Sequence, residues 1–243
     1  MSQRPTVAEQ LASRGVSRRA FLKFCAAAAS LMALPPGMAP AIAEALGKSR
    51  RPSVIWLSFQ ECTGCTESLT RSHSPTVESL IFDMISLDYH HTLQAASGHA
   101  AEQAREEAMK AGGYLVLVDG SIPTKDGGIY STIAGITNLQ MLKDTVENAA
   151  AVVSIGTCAA FGGLPMANPD PTGAKSVQAL MDEGLIAKKP VINVPGCPPI
   201  PTVITGVLAH YLTFGEIPAL DQLGRPLMFF GDTIHDRCCR RPF

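Results

Sequence analysis

Five short apolar runs punctuate the chain from residue 53 onwards. Ser53-Val-Ile-Trp-Leu-Ser58 is rich in β-formers, and Ile85-Ser-Leu-Asp-Tyr-His90 alternates like a half-buried strand. Tyr114–Val118, Ala151–Ile155 and Val191–Val194 are continuously apolar, as strands covered on both faces should be. Between them, apolar positions recur at helical spacing over Val77–Asp83, Ala100–Ala111, Asn138–Ala149, Ser176–Glu183 and Thr202–Thr213. Strands alternating with helices predict an α/β fold: a doubly wound parallel sheet with helices on both faces. Such a sheet binds its ligands beyond the carboxyl ends of the strands, near the point where strand order reverses.

The first fifty residues follow another pattern. Ser17-Arg18-Arg19-Ala20-Phe21-Leu22-Lys23 precedes an Ala/Leu-rich run from Phe24 to Leu34, and small-residue sites follow at Ala39-Pro40-Ala41 and Ala41-Ile42-Ala43. A basic segment, a short apolar stretch and an A-x-A site make an export leader over residues 1–43, and the paired arginines point to the Tat route and the periplasm. The competing reading is an amphipathic N-terminal helix docked on the domain. Cys25 lies within this segment and receives no role. The segment carries a net charge of +4, which leaves −5 on the other 200 residues.

Composition narrows the function. Hydrophobic residues make up 46% of the 243 and charged residues 17%, enough for a sizeable core and too apolar for disorder. A formal charge of −1 gives no concentrated basic face, so nucleic acid is not expected as a partner. No run beyond the leader has the length of a membrane span. There is no G-x-G-x-x-G or P-loop for a nucleotide, and Ser121 and Ser154 lack a nucleophile elbow.

The cysteines carry the chemistry. Three strands are each followed by a thiol-bearing segment: Glu61-Cys62-Thr63-Gly64-Cys65, then Gly156-Thr157-Cys158, then Pro195-Gly196-Cys197-Pro198-Pro199. Three strand ends thus deliver four thiols to one rim, each set with a glycine where backbone can approach an inorganic group. The spacings of 3, 93 and 39 positions are one pair and two singles, unlike the paired CxxC of most structural zinc sites. Four thiolates suit both zinc and iron–sulfur, and the scattered spacing favours a [4Fe–4S] cubane. Cys158 and Cys197 as small buried hydrophobes, or Cys62–Cys65 as a redox dithiol, are the competing readings.

These residues carry a resemblance. Glu61-Cys-Thr-Gly-Cys-Thr-Glu67, Val118-Asp-Gly-Ser-Ile-Pro123, Gly156-Thr-Cys158 with Gly162-Gly163, Asn168-Pro-Asp-Pro-Thr-Gly173, Pro195-Gly-Cys-Pro-Pro199 and Ile234-His-Asp-Arg-Cys238 are together similar to the small subunit of [NiFe] hydrogenases, most of all the membrane-associated uptake type. The resemblance runs in order from the leader to the last residue. It implies a flavodoxin-like domain over residues 44–230, with Cys62, Cys65, Cys158 and Cys197 holding the proximal [4Fe–4S] cluster. It makes His235 and Cys238 the first two ligands of a distal [4Fe–4S] cluster, with residues 231–243 the start of a C-terminal iron–sulfur domain. The family continues into that domain, which also holds a medial [3Fe–4S] cluster, so the chain is expected to be a fragment or a truncated form. Oxygen-tolerant members carry two more cysteines where this sequence has Gly64 and Gly163, which implies the oxygen-sensitive sort.

The implied role is electron transfer. Electrons from H₂ oxidation at the Ni–Fe centre of a separate large subunit pass through the cluster towards a quinone-linked acceptor such as a membrane cytochrome b, and the chain is not catalytic alone. Related readings are the cluster-bearing subunit of an NADH:quinone oxidoreductase, which presents adjacent cysteines at its first site, and a zinc-stabilised exported module. Glu61 and Thr63 flank the first thiol pair and either orient the cluster's surroundings or act as a solvated acid and a turn hydroxyl. Of His90-His91, one is expected buried and one exposed. His73, His99 and His210 have no ligand-type neighbour at useful spacing, and Cys239 is read as incidental.

Overall fold

The computed structural model describes residues 5–31, 34–48, 51–236 and 238–241. Residues 1–4 and 32–33 of the expected leader, and Arg237 and residues 242–243 of the expected C-terminal start, lie outside the described residues. Five strands, β1 (Ser53–Ser58), β2 (Ser86–Tyr89), β3 (Leu115–Asp119), β4 (Ala151–Ile155) and β5 (Val191–Val194), form one parallel sheet in the order β2-β1-β3-β4-β5. That is the flavodoxin-like, doubly wound order, and it reverses between β1 and β3.

A side-chain period of two splits each strand between two cores. Val54, Trp56, Leu115, Leu117 and Val153 face one side, with Val203, Val207, Leu208 and Leu212 of the long helix over Pro201–Phe214. Ile55, Leu57, Val116, Val118 and Val152 face the other, with Ala108 of the helix His99–Ala111, Met141 and Leu142 of Asn138–Val146, and Leu180 of Val177–Asp182. Both faces are therefore covered, which is why β3 and β4 read as unbroken apolar runs.

Helix boundaries follow local chemistry. The helix beginning at Asn138 is capped by Thr137 Oγ1, which accepts from Gln140 N–H at 3.3 Å, and it stops at Val146 rather than Ala149. Tyr114 Oη donates to Thr145 O at 2.6 Å there and takes a carbonyl from the last turn. The helix expected over Val77–Asp83 is a short turn, Val77–Ser79, followed by a π-helical turn over Leu80–Met84. Arg51 explains the break: its guanidinium donates to Ile81 O at 2.7 Å and to Ile85 O at 2.8 Å, holding the carbonyls apart from a regular ladder.

The N-terminal segment forms three helices, α1 (Val7–Ser13), α2 (Arg18–Leu31) and α3 (Ala39–Lys48), that pack on the Pro201–Phe214 side of the sheet. Cys25, Ala29, Ile42 and Leu46 are each at most 1% exposed and belong to the same core as Trp56. Burial pushes the Cys25 thiol up to about 11. Arg14 Nη1 pairs with the buried Asp83 Oδ1 at 2.8 Å. The segment thus packs on the domain, with Arg18 and Arg19 exposed on its outer side. The boundary expected between residues 43 and 44 runs through α3, with Ile42 buried in it. Among the described residues no helix is long and apolar enough to cross a membrane.

Placing a carboxylate at position 29 costs several kcal/mol if α2 stays docked, so Ala29→Asp should release it. Trypsin is expected to cut the full-length variant after Arg18, Arg19 and Lys23 more than about tenfold faster than the parent, since 1.4 kcal/mol already gives a factor of ten. The sheet domain should remain resistant in both. Equal cleavage rates would show that α2 is not packed in solution.

Candidate metal centre

Four chain segments leave the carboxyl edge of the sheet side by side. After β1, Gln60 is bridged to Ser121 beyond β3 by two backbone hydrogen bonds, each 3.1 Å, so the two segments at the switch point are fixed to one another. Thr63 takes a left-handed conformation (φ 66°) and turns the chain into the helix Gly64–Thr70, whose second residue is Cys65. Cys158 sits in the first turn of the helix Gly156–Phe161, directly after β4. Cys197 lies in the loop after β5.

Hydrogen bonds tie these segments together. Thr157 N–H donates to Gly196 O at 2.8 Å, and Gly196 N–H donates to Thr157 Oγ1 at 3.1 Å, so the Cys158 and Cys197 segments hold each other. Ser68 Oγ donates to Pro199 O at 2.6 Å and fixes the Cys65 helix to the Cys197 loop. Cys65 Sγ itself reaches Ile155 O at 3.7 Å, at the end of β4.

Two glycines leave room for the sulfurs. A Cβ at Gly156 (φ +85°) would lie 2.5 Å from Cys65 Sγ, and one at Gly163 (φ +58°) 2.7 Å from Cys158 Sγ. At Gly64 the corresponding approach to Cys62 Sγ is 3.1 Å, so both positions where the resemblance notes extra cysteines border a thiol of the group.

The thiols are free. Cys62 and Cys197 are exposed, and Cys65 and Cys158 half-buried, so neither Cys158 nor Cys197 is a buried hydrophobe. Burial pushes the Cys65 thiol far up, and the charges of Asp119, Cys158, Glu61 and Cys62 add to it. Cys158 is raised by burial against a lowering backbone hydrogen bond, with Cys197, Cys62 and Glu61 adding. Cys65 and Cys158 therefore each feel other thiols of the set. Among the described residues no three ligand-type side chains stand at the spacing of a single ion's shell.

Two carboxyls share the rim. Burial raises Glu61, whose Oε1 accepts from Thr63 Oγ1 at 3.3 Å while Oε2 is enclosed without a partner. Thr63 is exposed. Asp119, the last residue of β3, is 0% exposed and pushed up to about 7, mainly by burial, and its Oδ1 has no hydrogen-bond partner. Sequence reasoning gave Asp119 no role. Its signal is an acid ending the otherwise apolar run Leu115–Val118, next to where strand order reverses.

The remaining candidates lie elsewhere. At the C-terminal end Cys238 N–H donates to His235 O at 3.3 Å, His235 being exposed and Cys238 half-buried, and neither enters the electrostatic group of the four thiols. Cys239 is exposed. His90 is buried and His91 exposed, just beyond the end of β2.

As a donor set this suits an iron–sulfur group. The ligands must be thiolates, yet at Cys65 and Cys158 burial and neighbouring acids oppose ionisation, and no basic side chain among the described residues contributes to those shifts. The positive charge that lets four thiols ionise together has to come from what they bind.

Comparison with known proteins agrees with this layout. Residues 62–211 match the family described as NADH ubiquinone oxidoreductase, 20 kDa subunit. The chain is 50% identical over 234 residues to the periplasmic [NiFe] hydrogenase small subunit 1 of Nitratidesulfovibrio vulgaris, covering 96% of this chain and 73% of that one. It is 46% identical to the hydrogenase-2 small chain of Escherichia coli K12, covering 95% and 61%, and 43% identical to the uptake hydrogenase small subunit of Azotobacter vinelandii, covering 100% and 67%. Among solved structures, the Ni-Fe-Se hydrogenase of Desulfomicrobium baculatum superposes with a TM-score of 0.73 at 37% identity, over 78% of this chain and 74% of that one. The chain belongs to the family of that 20 kDa subunit and, within it, to the hydrogenase small subunits.

Proposed function

We propose that this chain is the electron-transfer subunit of a [NiFe] hydrogenase, working with a large subunit that carries the Ni–Fe centre. The observation that carries the reading is that three strand ends bring four free thiols to one rim, their segments tied by Thr157, Gly196 and Ser68. Cys62, Cys65, Cys158 and Cys197 would hold the proximal [4Fe–4S] cluster. When bound, that group supplies one-electron transfer, at a potential set by net charge, hydrogen bonds and exposure.

The chain's own residues do the rest. The parallel sheet fixes the four sulfurs relative to one another, and Gly156 and Gly163 keep side chains out of the space behind them. The exposed Cys62 and Cys197 turn one side of the site outwards, where a partner subunit can approach. Glu61 and Thr63 line that side and keep a carboxyl beside the thiols.

The finer reading follows the resemblance. His235 and Cys238 begin a distal [4Fe–4S] site whose remaining ligands, with a medial [3Fe–4S] cluster, belong to a C-terminal domain. Electrons leave through it towards a quinone-linked acceptor such as a membrane cytochrome b. The twin arginines direct Tat export, placing the assembled pair in the periplasm against the cytoplasmic membrane. Glycine at positions 64 and 163 makes the enzyme oxygen-sensitive.

Replacing one ligand tests the assignment. Cys197→Ser in the heterodimer should lose or convert the cluster, with lower iron and acid-labile sulfide and an altered EPR signal, and H₂ uptake should fall at least about a hundredfold. Iron, sulfide and EPR identical to the parent's would show that Cys197 is not a ligand. Gly156→Ala should keep its far-UV circular dichroism while binding less than about a tenth of the parent's iron, because the new methyl meets Cys65 Sγ. Full iron content in that variant would show that the glycine is not needed for the site.

A further inference from the structure

Behind the thiols, three buried side chains form a chain with a defined direction. His90 is 1% exposed, Thr66 2% and Asp119 0%. His90 Nδ1 accepts backbone N–H groups from Thr92 at 3.0 Å and Leu93 at 3.3 Å, so its proton sits on Nε2. Burial holds this imidazole neutral, its pKa lowered to about 4. Nε2 faces Thr66 Oγ1 at 3.5 Å, and Thr66 Oγ1 faces Asp119 Oδ2 at 3.5 Å. With the Nε2 proton directed at the threonine oxygen, the threonine hydrogen is left for the carboxylate. The sequence runs His90 to Thr66 to Asp119, and it ends on an acceptor.

Asp119 in turn acts on the site. Thr66, whose hydroxyl faces Asp119 Oδ2, directly follows Cys65, and Cys65 Sγ reaches the carbonyl of Ile155, the residue paired in register with Asp119. Trp56 Nε1 and Ser58 Oγ lie close enough to favour its charged form, although neither closes a hydrogen bond of ordinary geometry. Among the described residues no donor meets its Oδ1. A carboxylate in so dry a place acts over a distance that water would otherwise screen.

We propose that Asp119, positioned by Thr66 and His90, sets the reduction potential of the group held by Cys62, Cys65, Cys158 and Cys197. The inference rests on the cluster assignment above. A fixed negative charge facing the residue that follows Cys65 opposes the arrival of an electron and so lowers the potential. Thr66 and His90 are positioning residues, hydrogen-bonded to one another and, through Thr66, to the carboxyl.

The test is an EPR-monitored redox titration of the heterodimer at pH 8.5, with iron and sulfide measured on each sample. Asp119→Asn removes the charge and keeps the shape. Its reduced-to-oxidised ratio at a given potential should rise about tenfold, an upward shift of ~59 mV for a one-electron couple. Thr66→Val should shift in the same direction by less, and Thr66→Ser, which keeps the hydroxyl, should match the parent. A potential unchanged or lowered in Asp119→Asn with full iron and sulfide overturns the proposal. If that variant does not assemble, Thr66→Val decides, and a potential equal to that of Thr66→Ser overturns it. A parent heterodimer without iron and sulfide at these thiols would instead overturn the cluster assignment itself.

Discussion

Four thiols and two carboxyls occupy one rim of this sheet, and their mutual repulsion is the constraint on which the structure turns. As thiolates in a partly dry site they repel one another and the acids, and burial raises Cys65, Cys158 and Glu61 alike. Such a set can be kept at close quarters only by a scaffold that holds it and a cationic core that neutralises it. The parallel register supplies the scaffold. Because β1, β3, β4 and β5 run in the same direction and in step, the segments after them emerge at one level. Short hydrogen bonds between segments far apart in sequence, Ser68 to Pro199 and Thr157 to Gly196, then fix the spacing.

Much of this was legible in the residues. The bounds of β1, β4 and β5 agree with the apolar runs that predict them, because strands covered on both faces have no polar interruption to blur their limits. The thiol-bearing segments were placed by the same logic, since in a doubly wound sheet whatever follows a strand lies at the carboxyl edge. The short helices starting at Gly64 and Gly156 were not foreseen. Glycine and threonine are weak helix formers, and these turns are kept by tertiary hydrogen bonds to neighbouring segments. Asp119 was not foreseen as a site residue either, because its importance comes from dehydration by the layers around it.

The N-terminal segment shows that a leader-like pattern can also build a packed layer. Its twin arginines and small-residue sites resemble those of an export leader, while Cys25, Ala29, Ile42 and Leu46 complete the core beside Trp56. Alanine-rich sequence conceals this, since small residues carry little amphipathic signal and still pack closely. The covered face includes Val203, Val207 and Leu212 of the long helix, so the same apolar surface that stabilises the sheet also receives the segment.

X-ray absorption at the iron edge of the anaerobically purified heterodimer tests the central claim most directly. Isotopic iron would be incorporated only through the small subunit, with Mössbauer spectra separating it from the Ni–Fe centre. The account predicts iron in an all-sulfur environment with a close iron–iron shell, at four iron atoms per proximal site. A lone metal ion with nitrogen or oxygen neighbours, or zinc in place of iron at these cysteines, would contradict it.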